Sequence, residues 1–150
     1  MHISWNFLDK RKATVDAIEA YRSMEYIIRN TDEEIKQLRA DMGSASAVNL
    51  DGMPHAHNPQ ASEEALIAKI DEIDIIKERY RQAVEYMEWF KPAWERLSED
   101  DRYVLELFYM DCTPGAAEMV ADHFNIERKT AYVRKTRAET RLCILLYGKS

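Results

Sequence analysis

The stretch that decides the fold is Met119-Val120-Ala121-Asp122-His123-Phe124-Asn125-Ile126-Glu127-Arg128-Lys129-Thr130-Ala131-Tyr132. The apolar positions of one helix end at Phe124, the chain turns at Asn125-Ile126, and those of the next begin at Ala131. Asn is among the few non-glycine residues that tolerate a left-handed backbone, so Asn125 suits a tight turn between two helices. A small side chain is required where such helices cross, and Ala121 stands there, with Ile126 placed to plug the angle. The pattern predicts a helix-turn-helix whose last helix starts near Glu127 and runs to about Tyr147.

At about 100° per residue, Ala131, Ala138, Leu142 and Leu145 fall on one face of that last helix. Lys129, Tyr132, Val133 and Thr136 point the opposite way, with Arg128 and Lys135 on one flank and Arg137 on the other. From Glu127 to Ser150 seven Lys or Arg stand against two acids, whereas the preceding residues carry 14 bases and 25 acids. A basic segment on an acidic body suggests a nucleic-acid contact confined to one face. A helix with a dry inner face and a basic outer face is what major-groove reading requires. Arg128, Lys129 and Tyr132 are therefore the candidates for base edges. Lys135, Thr136 and Arg137 are the candidates for phosphates, and Thr130 and Arg134 complete the set. Double-stranded DNA is the expected partner.

Working outward, Ser98-Glu99-Asp100-Asp101 has the form of a capping box, with Asp101 placed to reach back to the cap. Val104, Leu107 and Phe108 mark the buried face of the helix that follows. Thr113-Pro114 reads as the N-cap and first helical residue of the next helix. Residues 97–150 are thus expected to form a three-helix domain.

Residues 1–96 read differently. Ala17, Tyr21, Met24, Ile28, Thr31, Ile35, Leu38 and Met42 alternate by four and three, the seam of a coiled-coil helix. Gly, Pro, Ser and Asn then concentrate in 43–61, which reads as a long flexible linker. Ser62 is a candidate N-cap for a second helix, on which Leu66, Ile70, Ile73, Tyr80, Val84 and Met87 repeat the spacing. That helix ends near Trp94 or pauses at Lys91-Pro92. A long helical hairpin, coiled-coil-like, buries both stripes, and a homodimer pairing them between chains buries them equally well. The fold class is all-α.

The longest apolar run, Cys143 to Tyr147, is five residues, so no membrane-spanning segment is expected. Cys112 and Cys143 form no CxxC pair, which points to a cytoplasmic protein and to cysteines acting as small hydrophobes, Cys143 near the edge of its helix. His55-Ala56-His57 lies in the linker without clustered Cys or carboxylates, so no metal is expected. There is no phosphate-binding Gly loop or nucleophile elbow, and no cofactor or enzymatic activity is expected. Tyr86, Met87, Trp89, Phe90 and Trp94 form the densest aromatic patch, read as a hinge core or a docking surface.

Leu97-Ser98-Glu99-Asp100-Asp101-Arg102-Tyr103-Val104-Leu105-Glu106-Leu107-Phe108-Tyr109, then Met119-Val120-Ala121, Phe124-Asn125-Ile126, Thr130-Ala131-Tyr132 and Ala138, resembles region 4 of bacterial sigma factors. The whole chain resembles the phage-encoded ArpU-like regulators, which carry such a domain behind a helical extension. The resemblance implies a sequence-specific regulator of late transcription, and RNA polymerase as a further candidate partner. Three positions depart from the pattern: Glu127 replaces the usual Ser or Thr, Arg134 a usually apolar residue, and Ala116-Ala117-Glu118 the usual acidic pair. No region for melting promoter DNA is recognisable in the first 96 residues, which argues against a full sigma factor. Two other readings stay open. One is a DNA-packaging component of the small-terminase type. The other is a protein-only module that binds RNA polymerase.

Overall fold

Residues 9–47 and 59–148 are described by a computed structural model of the chain, and all regular structure among them is helical. In chain order the helices are α1 (Lys10–Ala47), α2 (Pro59–Glu95), α3 (Glu99–Leu105), α4 (Ala116–Phe124) and α5 (Arg128–Tyr147). No described helix is long and apolar enough to cross a membrane. The chain divides into two compact units, residues 1–24 with 85–150, and residues 25–84. This division falls inside α1 and α2, whereas the pattern change in the sequence falls at 96/97.

Asp9 caps α1 by accepting a 3.1 Å hydrogen bond from the Lys12 amide. Both long helices extend further into the linker than expected. α1 continues through Gly43 to Ala47, and α2 begins at Pro59 rather than at the Ser62 cap. Proline at a helix start is favourable because its missing N–H has no intrahelical partner there anyway. The remainder of the predicted linker, with His55 and His57, lies outside the described residues. Further along, α2 runs through Pro92 without stopping. An interior proline costs about 3 kcal/mol, and the burial of Ala93, Trp94 and Leu97 just beyond it offsets that loss.

The first unit has two cores. Ile18 of α1, Phe90 and Trp94 of α2, Leu105 of α3 and Leu142 of α5 meet in one. Val104, Val120, Ala121 and Ala131 form the other, flanked by Tyr103, Leu107, Phe108, Phe124 and Ile126. Tyr86 donates from its phenol to the Ala17 carbonyl, and Arg22 pairs with Asp111 at 2.9 Å. Ring stacking continues the first core along α2, with Tyr86 and Trp94 each stacked on Phe90.

In the second unit α1 and α2 supply a thinner core of Thr31, Ile73, Ile76 and Ala83. Thr31 occupies an apolar seam position at no polar cost, because its hydroxyl donates to the Ile27 carbonyl at 2.6 Å. Thr14, in the first unit, does the same toward Lys10 at 2.7 Å. Arg79 of α2 reaches Glu34 of α1 at 2.6 Å.

Candidate nucleic-acid interface

α3 opens with Ser98, whose hydroxyl accepts from the Asp101 amide at 3.2 Å. Only half of the predicted capping box forms. The Asp101 carboxylate does not reach back; it takes two 2.7 Å hydrogen bonds from Arg141 of α5. After Leu105 the helix widens into π-type bonding over Glu106–Met110, and the Asp111 amide donates to Glu106 at 2.8 Å. The segment then leaves through Cys112, which takes the left-handed region at φ 45°. The expected start of α4 at Thr113-Pro114 is displaced. Gly115, at φ 74°, is the N-cap, and Thr113 instead accepts from Ala116 across the turn at 3.2 Å. Glycine takes a positive φ without a Cβ penalty, so it sets the helix start.

The α4–α5 turn follows the sequence closely. Asn125 adopts φ 51°, ψ 52°, and the Ile126 amide returns to the Ala121 carbonyl at 2.9 Å. Ala121 is buried, and Ile126 packs against the second core. Glu127 is extended and offers no side-chain cap, so α5 begins at Arg128. Along α5, Ala131, Ala138 and Leu142 are fully buried, while Leu145 is half-buried. Cys143 corrects the sequence reading. It lies inside the inner face at 1% exposure, not at its edge, and Glu139 and Leu146 are buried with it.

The eight predicted contact residues divide by their surroundings. Arg128, Lys129, Thr130, Tyr132, Thr136 and Arg137 are exposed on the outer surface of α5. Thr136 returns its hydroxyl to the Tyr132 carbonyl at 3.1 Å. Arg134 is half-buried, with its guanidinium 4.1 Å from the Phe124 ring centre, a cation–π contact. Lys135 is also half-buried. Its ammonium lies over Phe108, Tyr109 and Tyr132 at 5.4–5.7 Å and pairs with Glu139 at 3.8 Å. Glu139 in turn accepts from the Tyr109 phenol and lies 3.5 Å from Arg11 of α1. Lys135 is thus held by internal partners, whereas Arg137 projects from the surface.

Asp101, Ile126, Thr130, Val133, Arg134, Arg137 and Arg141 line a cleft of about 290 Å³. Three arginines at one cleft make an anion-attracting surface, although Arg141 is already engaged by Asp101. The residue that sequence reasoning passed over is Glu118. From the first turn of α4 it receives the Arg128 Nε at 2.9 Å. The Arg128 guanidinium also lies 5.9 Å from the Tyr132 ring centre. Hydrogen bonding with Tyr132, and then the Glu118 charge, push the Arg128 pKa upward. No local sequence signal announces this pair, because its partners are ten positions apart on different helices.

Among the described residues no three His, Cys, Asp or Glu side chains gather as a metal site. His123 packs against Tyr103, with the rings tilted and their centres 4.3 Å apart. No family model, curated protein or solved structure matches the chain.

Proposed function

We propose that this chain is a sequence-specific DNA-binding transcriptional regulator that reads the major groove with α5, of the phage- or prophage-derived kind implied by its resemblance to sigma region 4. The observation that carries the reading is the division of α5 into a fully buried Ala131-Ala138-Leu142 face and an exposed face bearing Arg128, Lys129, Thr130, Tyr132, Thr136 and Arg137. The left-handed Asn125 turn joins that helix to α4, and Arg128, Lys129 and Thr130 at its start are exposed. In this reading Arg128, Lys129 and Tyr132 approach base edges, and Thr136 and Arg137 contact phosphates. Lys135 contributes its charge from beneath the surface. A cytoplasmic setting accords with two free cysteines.

Self-association through α1 and α2 belongs to the same proposal. Tyr26, Leu66, Ile67, Ile70 and Ile75 are exposed on the second unit. Residues 59–75 carry five acids and one base, residues 76–84 three bases and one acid, so an antiparallel pairing of two copies of α2 sets opposite charges together.

The test is fluorescence-anisotropy titration of the full chain against duplexes from its genomic neighbourhood, at two salt concentrations, with light scattering for mass. The expected result is tight binding to one fragment, weakened by salt and reduced about tenfold or more by Arg128→Ala. Binding to no duplex sinks the DNA reading and directs the search to protein partners such as RNA polymerase. A ring-like oligomer with little sequence preference favours the packaging alternative.

A further inference from the structure

Resting on the DNA-binding reading, we infer that Glu118 makes this surface selective, by holding Arg128 for a neutral pair of base-edge acceptors and against backbone phosphate. The two side chains come from separate helices and meet at 2.9 Å through Nε of Arg128, with both more than half exposed. Nε is one of five guanidinium donors, so the pairing leaves most of the fork unassigned to Glu118. Tyr132 supports the same guanidinium from the neighbouring turn of α5.

The charge at this corner decides what the fork can accept. A phosphate approaching Arg128 must also approach the Glu118 carboxylate, and like charges at that range repel. Guanine N7 and O6 are uncharged acceptors matched to an arginine fork, and they approach without that repulsion. Glu118 therefore weakens attachment to arbitrary duplex more than attachment to a site with guanine opposite Arg128. In this scheme Glu118 is a positioning residue that acts through Arg128.

The experiment uses the full chain and two duplexes, a site recovered from a randomised pool and a random-sequence control, titrated at several salt concentrations. Glu118→Gln is expected to tighten random-duplex binding by about two- to fivefold, the range set by an exposed ion pair. It is also expected to lower the site-to-random ratio and to steepen the salt slope on random duplex by about one phosphate contact. In an Arg128→Ala background the same change is expected to do nothing. Equal weakening on both duplexes overturns the inference, as does a gain that persists without Arg128. If the wild-type chain binds its site through Arg128 while Glu118→Gln is neutral, this inference alone fails. If the wild-type chain binds no duplex, the DNA reading falls and takes the inference with it. An unchanged thermal midpoint for Glu118→Gln checks that the first turn of α4 is intact.

Discussion

The two compact units are built from similar helices and end with very different interiors. In the first, residues from α1, α2, α3 and α5 converge, and Phe90, Ile18, Leu105 and Leu142 lose essentially all contact with solvent. In the second, α1 and α2 have only each other among the described residues. Ile73 and Ile76 are buried, but Ile75 remains 69% exposed and Ile67 52%. Two helices can cover one stripe apiece, and an apolar residue off that stripe stays in water. The stripe that α2 buries runs through Ile73, Ile76 and Ala83, and Leu66, Ile70 and Tyr80 of the predicted stripe are exposed. Closing a core takes helices from several directions, and in this chain those come from the C-terminal third.

The largest effect is therefore expected at Phe90. It is fully buried and in ring contact with Tyr21, Tyr86, Trp89 and Trp94, so truncation leaves a cavity that its neighbours cannot fill. Phe90→Ala should cost about 3–5 kcal/mol in denaturant unfolding. Ile75→Ala, on the exposed side of α2, should stay within about 0.5 kcal/mol at low protein concentration. Near-equal losses would erase the contrast between the units. A large loss at Ile75 that grows with protein concentration would instead show that a second copy covers it.

A middle-sized effect is expected at the ion pair between α3 and α5. Asp101 is nearly buried and accepts two charge-assisted hydrogen bonds from Arg141, whose other side faces water. Asp101→Asn keeps the volume and removes the charge, and should cost about 1–2 kcal/mol. Its partner in the comparison is Glu34→Gln, which removes the Arg79 pair of the second unit. Both members of that pair are over a third exposed, so a loss below about 0.5 kcal/mol is expected. Chemical denaturation of both variants at low and high salt checks the ranking.

The helices and the α4–α5 turn were legible in the sequence because they depend on local rules. The four-three spacing in α1 survives Thr31, since a threonine hydroxyl finds its partner one turn back on its own helix. Asn125 announces a left-handed residue wherever the chain then leads. The unread features depend on partners distant in sequence. Asp101 looks like a capping residue until Arg141 arrives from 40 positions away. Cys143 drops off the α5 stripe on a helical wheel, yet α5 is covered over a wider arc than one partner helix provides, so Cys143 is buried. Of the candidate site, the spacing marked the exposed cations, but it could not show that the Lys135 ammonium lies over aromatic rings or that Arg128 has an acidic partner. Spacing gives direction from an axis, and the partner at the end of that direction comes from the fold.

The smallest expected effect separates the units by pH. In the first unit, burial pushes the phenols of Tyr86 and Tyr109 well above their ordinary 10.0, and for Tyr109 the hydrogen bond to Glu139 adds to the shift. A group whose pKa is raised by folding leaves stability intact below its unfolded value and loses it as pH rises through the folded one. The first unit should therefore weaken above about pH 10, where the unfolded chain releases phenolic protons that the folded chain retains. Trp89 and Trp94 both lie in that unit, so tryptophan emission during denaturation reports on it. In the second unit, hydrogen bonds from Arg81 and then Gln82 hold the exposed Glu78 down at about 2, against an ordinary 4.5. Here the pKa is lowered, so the contribution is present above 4.5 and disappears as pH falls through about 2. Tyr109→Phe should make the alkaline loss shallower and leave the acid limb alone, and Glu78→Gln should do the reverse. If Tyr109→Phe left the alkaline limb as steep as before, the buried phenol would have no part in it. The difference between a packed unit and a thin one would then have to rest on side-chain volume alone.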